Sequence, residues 1–346
     1  MIPRHSVAAL LLASIAVTGP PRDVAAQVSR SAPIADHHVH LFSPRVAEVL
    51  RRAGRSWGQL TARDAIAMLD SSGATNGVVF SAAYMLGMPE RSTEPVGWDE
   101  LAEVEQENDW VRTEAARYAH RLAPFCSVNP LKDYAVGEVQ RCARIGMRGL
   151  KLHFGNSDVD PQDARHVGQL RAVFAAANAV RLPIVVHMRP RSPRYGARDA
   201  RTLIDAVLTS APDVPVQIAH LAGWGGYDAA TDDALGAFVD AFATGALDRK
   251  RIYFDLSGVV IPRSAKNAPE GTDLRILANQ QREFPDWPSH LVARLRSLGV
   301  DRVLFASDWP FTSAAHYRAV LRGELGLTAE ELRHILTNTA PYFEVK

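Results

Sequence analysis

The chain has 346 residues, of which 47% are hydrophobic and 22% charged. That balance suits a folded protein with a sizeable core and excludes wholesale disorder. Lys and Arg number 39 against 38 Asp and Glu, a net charge of +1, so there is no basic surplus to neutralise nucleic-acid phosphates.

The N-terminus reads as an export signal. Arg4 and His5 give a basic start, Val7 to Val17 is an apolar run, and Val24-Ala25-Ala26 offers a small-residue cleavage pattern. The run falls short of the roughly 20 residues a permanent membrane helix needs, so no stable membrane anchor is expected. Cleavage is expected after Ala26, releasing residues 27–346 as one domain into the periplasm or the medium. Export permits disulfides, but Cys126 and Cys142 are the only cysteines. One falls in an expected strand and the other in the helix after it, and they read as two buried free thiols.

Beyond the signal, short apolar runs alternate with helical patterns. The runs are Ile34–His40, Gly77–Ser81, Ala123–Val128, Arg148–His153, Pro183–His187, Pro215–His220, Ile252–Leu256 and Arg302–Ser307. Between them lie amphipathic stretches such as Asp133–Ile145 and Arg165–Val180; in the second, Val167, Leu170, Phe174 and Ala177 share one helical face. Asp160-Pro161 is expected to cap that helix, and Thr328 to Glu331 to open the last helix as a capping box. Eight strands alternating with helices specify a parallel sheet, and eight is the number that closes an α/β (β/α)8 TIM barrel. Two long irregular stretches, Leu86–Gly97 and Ser257 to about Arg275, are expected to be lids or substrate walls.

Several runs end in metal-capable residues: Asp36-His-His-Val-His40, then His187, His220 and Asp308. In such a barrel the C-terminal strand ends converge on one mouth. Side chains alternate along a strand, so Asp36, His38 and His40 are expected on one face and His37 on the other, toward the helices. Each histidine alone reads as an ordinary buried one. Together they would be costly to bury without a shared partner, and a divalent cation is the economical one. Imidazole and carboxylate suit zinc first, with manganese or iron as alternatives. A metal-storing envelope protein would use flexible His-rich tracts, which this chain lacks.

Here the residues carry a resemblance. Asp36-x-His-x-His40, Gly149-Leu-Lys-Leu-His153, His187, His220-Leu and Phe305-Ala-Ser-Asp308-Trp-Pro310 resemble the amidohydrolase superfamily. Within it they are similar to the amidohydrolase-related group that includes aminocarboxymuconate semialdehyde decarboxylase. Glu107-Asn-Asp-Trp110, Asn129-Pro130 through Gly149, and Ile335-Leu-Thr-Asn338 add to the likeness. The resemblance implies one metal ion held by His38, His40, His187 and Asp308, with Asp308 and His220 catalytic. It also implies a two-metal alternative, in which carboxylated Lys151 and His220 hold the second ion.

The leading expectation is hydrolysis of a small amide, ester or lactone by metal-activated water. Non-oxidative decarboxylation or hydration on the same scaffold is the alternative. Three arginines, Arg189, Arg191 and Arg194, follow His187 on a loop stiffened by prolines. Arg189 and Arg191 are expected to grip a substrate carboxylate, against the alternative of a basic loop salt-bridged to a neighbouring helix. The expected partner is thus a small anionic molecule; a homo-oligomer is compatible with the composition. Asp36 is expected to orient a histidine, and Asp255, Ser257 and Trp224 to lie at the rim as structural or substrate contacts.

Overall fold

The computed structural model describes residues 34–88, 98–247, 251–261 and 282–343. The expected signal at 1–26, and residues 89–97 and 262–275 of the two long stretches, lie outside the described residues. No helix among the described residues is long and apolar enough to cross a membrane.

Eight parallel strands follow one another in chain order: β1 Ile34–His40, β2 Ala74–Phe80, β3 Leu122–Ser127, β4 Gly149–His153, β5 Ile184–His187, β6 Val216–Ile218, β7 Ile252–Asp255 and β8 Val303–Leu304. Parallel neighbours need a crossover, and helices such as Ala135–Arg144, Ala164–Ala179 and Ala229–Ala243 supply it. The sheet returns on itself. The His37 N–H donates to the Phe305 carbonyl at 3.1 Å, Asp308 N–H to His38 at 2.9 Å, and His40 N–H to Trp309 at 2.9 Å. This is the expected (β/α)8 barrel.

The strand ends differ from expectation for local reasons. β2 starts at Ala74, ahead of the expected Gly77, because Gly73 at φ 69° ends the preceding helix immediately before it. The ladder of β8 stops at Leu304, since Phe305 N–H turns aside to the Ile335 carbonyl at 3.2 Å. The helix Ala164–Ala179 is capped by Asp163, which accepts from the N–H groups of Arg165 and His166. The expected cap Asp160 instead accepts from Gln162 N–H at 2.8 Å and closes a turn ahead of the helix. Thr328 and Glu331 do form the expected capping box.

Two apolar layers surround the strands. Inside the barrel, Val78, Phe80, Phe125, Val185 and Leu304 pack together, and the C-terminal Ala340, Tyr342 and Phe343 complete that cluster. Gly149 opens β4 because a Cβ there would lie 2.2 Å from the Phe125 ring on the next strand. Outside, alternate residues such as Val79, Leu150, Leu152, Ile184 and Val186 pack with helix residues such as Leu69, Leu170, Phe174 and Phe238.

Cys126 and Cys142 are joined in a disulfide, which corrects the free-thiol expectation. Cys126 faces outward from β3 toward the helix Ala135–Arg144, whose face at Cys142 packs directly on the strand, with Cα atoms 6.3 Å apart. The bridge closes a loop of sequence separation 16. Cross-linking a loop of that size restricts the unfolded chain by about 3 kcal/mol. With reductant present the unfolding free energy should therefore fall by that order, read as a lower denaturant midpoint. An unchanged midpoint would mean that the two sulfurs stay reduced in solution.

Candidate functional site

The mouth is built where β1, β4, β5 and the turns after β6, β7 and β8 converge. β1 does not alternate evenly: its register against β2 shifts between Asp36 and Val39, so an extra residue is accommodated. The His38 and His40 rings both reach the mouth, their centroids 5.1 Å apart. The His37 ring leaves it, as expected, but packs on the C-terminal turn and not on a helix. Its Nδ1 lies 3.0 Å from the Phe305 carbonyl, its Nε2 accepts from Ala340 N–H, and its ring meets Phe343 edge-on.

His38, His40 and Asp308 form a tight triad. Asp308 Oδ1 lies 3.4 Å from His38 Nε2 and 3.3 Å from His40 Nε2. An overlapping group, His38, His220 and Asp255, also brings its ligand atoms within 4.8 Å of one another. Hydrogen bonding separates the roles. His38 Nδ1 donates to Asp255 Oδ2 at 3.1 Å, which leaves the Nε2 lone pair for the triad. His220 Nδ1 donates to the Ser257 carbonyl at 2.8 Å, so its Nε2 is likewise bare. Asp255, expected at the rim as a structural or substrate contact, is fully buried. It also accepts from Gln217 Nε2 at 2.6 Å, His220 N–H at 3.0 Å, and the Ser257 N–H and hydroxyl.

Burial dominates the electrostatics. It lowers His38 to about 3, with Lys151 adding to the fall and Asp255 opposing it, so His38 is a neutral donor at pH 7. It lowers His40, and His187 well below the usual range. Burial alone would raise the Asp255 and Asp308 carboxyls. The neighbouring imidazoles, His38 first in both cases, outweigh it and hold both carboxyls well below the usual range. Lys151 Nζ lies 3.2 Å from His38 Nε2 and 4.6 Å from the Phe80 ring centroid. Burial brings it down to about 8 against the pull of Asp255 and Asp308, so it remains largely an ammonium at pH 7.

The other expected residues fall as follows. His187 is outside the tight triad, its ring 4.8 Å from His220, and its buried Nε2 has no hydrogen-bond partner among the described residues. Asp36 accepts from the N–H groups of His38 and Ser307 and so ties β1 to the end of β8; it orients backbone, not an imidazole. The Arg189 fork corrects the expected carboxylate grip. It is engaged bidentately by Asp228 at 3.0 and 2.8 Å, with Thr231 Oγ1 at 3.0 Å, so the loop is salt-bridged to the helix Ala229–Ala243 that Asp228 caps. Arg191 is exposed and contacts Asn156 Oδ1 at 3.3 Å. Asp255 and Ser257 lie buried beneath the rim, whereas Trp224 is 37% exposed and stands edge-on to His187 at 5.1 Å.

The donor set fits a divalent cation. His38, His40 and Asp308 bring two imidazole nitrogens and a low-pKa carboxylate together in one buried place, and the orphaned Nε2 of His187, whose ring neighbours His220, adds a further buried donor; this set suits zinc or manganese. The contact from Asp255 to His38 is the kind of outer hydrogen bond that fixes a ligand's tautomer. Asp255→Asn should therefore weaken cation affinity about tenfold to a hundredfold, as measured by competition with a chromogenic chelator. Unchanged affinity in a folded variant would reduce Asp255 to a purely structural role.

The amidohydrolase family profile matches residues 35–341. No curated protein matches the chain. Among solved structures, the chain is similar to a 2,6-dihydroxybenzoate decarboxylase complexed with 2,6-dihydroxybenzoate, at TM-score 0.58 and 17% identity over 91% of this chain and 100% of that one. It is also similar to a 5-carboxyvanillate decarboxylase from Novosphingobium aromaticivorans with bound manganese, at TM-score 0.58 and 13% identity over 92% and 98%. A third likeness is to a putative 2-pyrone-4,6-dicarboxylic acid hydrolase from Pseudomonas putida, at TM-score 0.56 and 16% identity over 91% and 99%. At such identities these structures speak for the fold, while the profile reaches all eight strands and spans every residue of the cluster: the chain belongs to the amidohydrolase family.

Proposed function

We propose that the chain is an exported, metal-dependent decarboxylase that removes carbon dioxide from a small, unsaturated or aromatic carboxylic acid. The observation that carries this reading is Lys151. A buried ammonium beside a cation-binding cluster gives the mouth two positive centres, which suits an anion and is superfluous for a neutral ester or amide. The relatives named above support it, since two of the three act on aromatic carboxylates. This reading moves the expected hydrolysis into second place.

A divalent cation held by His38, His40, His187 and Asp308 would supply Lewis acidity, drawing electron density from a substrate oxygen. The remaining work belongs to the chain. Lys151 attracts the carboxylate and holds it at the floor of the mouth. Trp224 and the buried Tyr84 wall the site and limit water. A carboxylate entering beside Asp308 raises that residue's proton affinity by like-charge repulsion. Asp308 then carries a proton to the substrate carbon that bears the carboxylate. As that carbon–hydrogen bond forms, the carbon–carbon bond breaks, its electron pair stays with the carbon framework, and carbon dioxide leaves. Asp308 regains its proton from solvent. His220, with Nδ1 fixed on Ser257, offers Nε2 to position a substrate hydroxyl or water.

Hydrolysis stays as the second reading because both histidines of His38-Val-His40 reach Asp308 and His220 Nε2 is free to accept a proton from water. The two are separated by offering zinc- or manganese-loaded protein 2,6-dihydroxybenzoate, 5-carboxyvanillate and 2-pyrone-4,6-dicarboxylate. Carbon dioxide release from the aromatic acids is expected; ring opening of the pyrone without carbon dioxide would put hydrolysis first. Within either reading, His220→Asn should keep its metal and lose kcat by about a hundredfold. His187→Ala should lose metal by elemental analysis, while His37→Ala should keep it. Equal metal loss in the last two would refute the ligand assignment.

A further inference from the structure

We propose that His153 presents a fixed Nε2–H donor to the barrel mouth, placed to bind an oxygen of the substrate. It rests on the mouth being the catalytic site and adds a residue that the cation scheme does not use.

Register puts His153 there. β4 and β5 run parallel with His153 opposite His187, so their side chains emerge on the same side of adjacent strands. The rings stack with centroids 3.9 Å apart and planes within 16°. Tyr84 covers the His153 ring at 5.1 Å, and Trp224 meets it edge-on at 5.5 Å. The imidazole is thus held by aromatic neighbours on several sides, and its plane has little freedom to turn.

The tautomer follows from one hydrogen bond. His153 Nδ1 accepts from the Asn156 N–H at 3.1 Å, and His153 caps the short helix Phe154–Ser157 in this way. A backbone N–H can only donate, so Nδ1 carries the lone pair and the ring proton sits on Nε2. This is the opposite of His38 and His220, whose Nδ1 atoms donate to Asp255 and to the Ser257 carbonyl. Those two therefore turn lone pairs toward the cluster, whereas His153 turns a donor. It is unsuited to be a cation ligand through Nε2 and suited to meet an acceptor.

That acceptor is not supplied by the protein. No described residue accepts from His153 Nε2; the residue is 7% exposed and the atom is not sealed from the mouth. The ring is largely buried while its Nε2–H stays open to the mouth, so the donor is available to an acceptor that enters there. A carboxylate, phenolate or carbonyl oxygen of a substrate held in the mouth over Lys151 and the His38–His40–Asp308 triad would do so.

Two variants separate the ring's tasks. His153→Asn keeps an acceptor near the Nδ1 position for the Asn156 N–H and removes the donor. His153→Gln extends an amide N–H toward the Nε2 position. Zinc-loaded wild type and variants are titrated with 2,6-dihydroxybenzoate by calorimetry, and zinc affinity is measured by chelator competition. His153→Asn should bind the acid about tenfold to a hundredfold more weakly at unchanged zinc affinity, and His153→Gln should recover much of the loss. Wild-type acid binding by both variants would overturn the proposal, as would zinc loss in His153→Asn matching that of His187→Ala. Long-range proton–nitrogen NMR of histidine-labelled protein tests the tautomer without any substrate. A protonated Nε2 with bare Nδ1 supports the donor, and a protonated Nδ1 overturns it. Wild type that shows this tautomer but ignores the acid would overturn the aromatic-acid reading and leave the donor standing.

Discussion

One buried carboxylate holds the mouth together. Asp255 ends β7 with no exposed surface, and an ionised carboxylate in that position costs several kcal/mol unless donors surround it. They do, and they come from different parts of the barrel: His38 from β1, Gln217 from β6, the His220 N–H from the turn after β6, and Ser257 from the turn after β7. Each donor needs Asp255, and Asp255 needs all of them. The consequence reaches the chemistry, because the bond to His38 Nδ1 is what bares the opposite nitrogen.

The backbone around this carboxylate departs from regular geometry at several non-glycine positions. His220, Leu221, Ala222 and Asp308 are non-glycine residues in the left-handed region, at φ between 49° and 68°. Each such residue costs on the order of 1 kcal/mol or more and persists only where the surroundings over-determine it. At His220 the anchor is the N–H bond to Asp255; at Asp308 it is the N–H bond to the His38 carbonyl, which also closes the barrel. The turn after β6 thus starts at Ala219, where a continued strand would carry His220 on the regular alternation. The imidazole is set instead against Ser257, with His38 and His187 as ring neighbours.

Much of this was legible because strand-end residues announce themselves. An apolar β-branched run stopping at a polar residue marks both the strand and its mouth, and that pattern located His40, His187, His220 and Asp308 before any geometry. Asp255 ends its run in the same way but was read as a rim residue, since a one-dimensional pattern does not distinguish a carboxylate that faces substrate from one that faces five donors. The even alternation assumed for β1 missed the register shift after Asp36, which no residue type there signals. Arg189 looked like an anion receptor because its partner Asp228 lies far along the chain. The Cys126–Cys142 bridge was missed for a similar reason: it depends on which face of β3 meets the following helix, a one-residue question of register. His153 was visible as a residue, but its tautomer is decided by a backbone N–H that folding alone brings near.

The same cluster links cation binding to folding. Burying His38, His40, His187, His153, His220 and Lys151 together gathers six basic groups around two carboxylates, and burial keeps the first four of these neutral. Neutral imidazoles escape the cost of buried charge but leave lone pairs that need a partner. Nε2 of His187 and Nδ1 of His40 have none among the described residues, and an unmade hydrogen bond at a buried polar atom costs about 1–3 kcal/mol. Of these two orphans a divalent cation would satisfy Nε2 of His187, and it would draw Nε2 of His38 and His40, with Asp308, into the same centre. The unfolded chain offers no such arrangement, so whatever the ion gains there is added to the stability of the fold. The barrel therefore carries in its mouth a local instability that its scaffold tolerates and a cation would relieve, with residues that do little for packing seated at six of the eight strand ends.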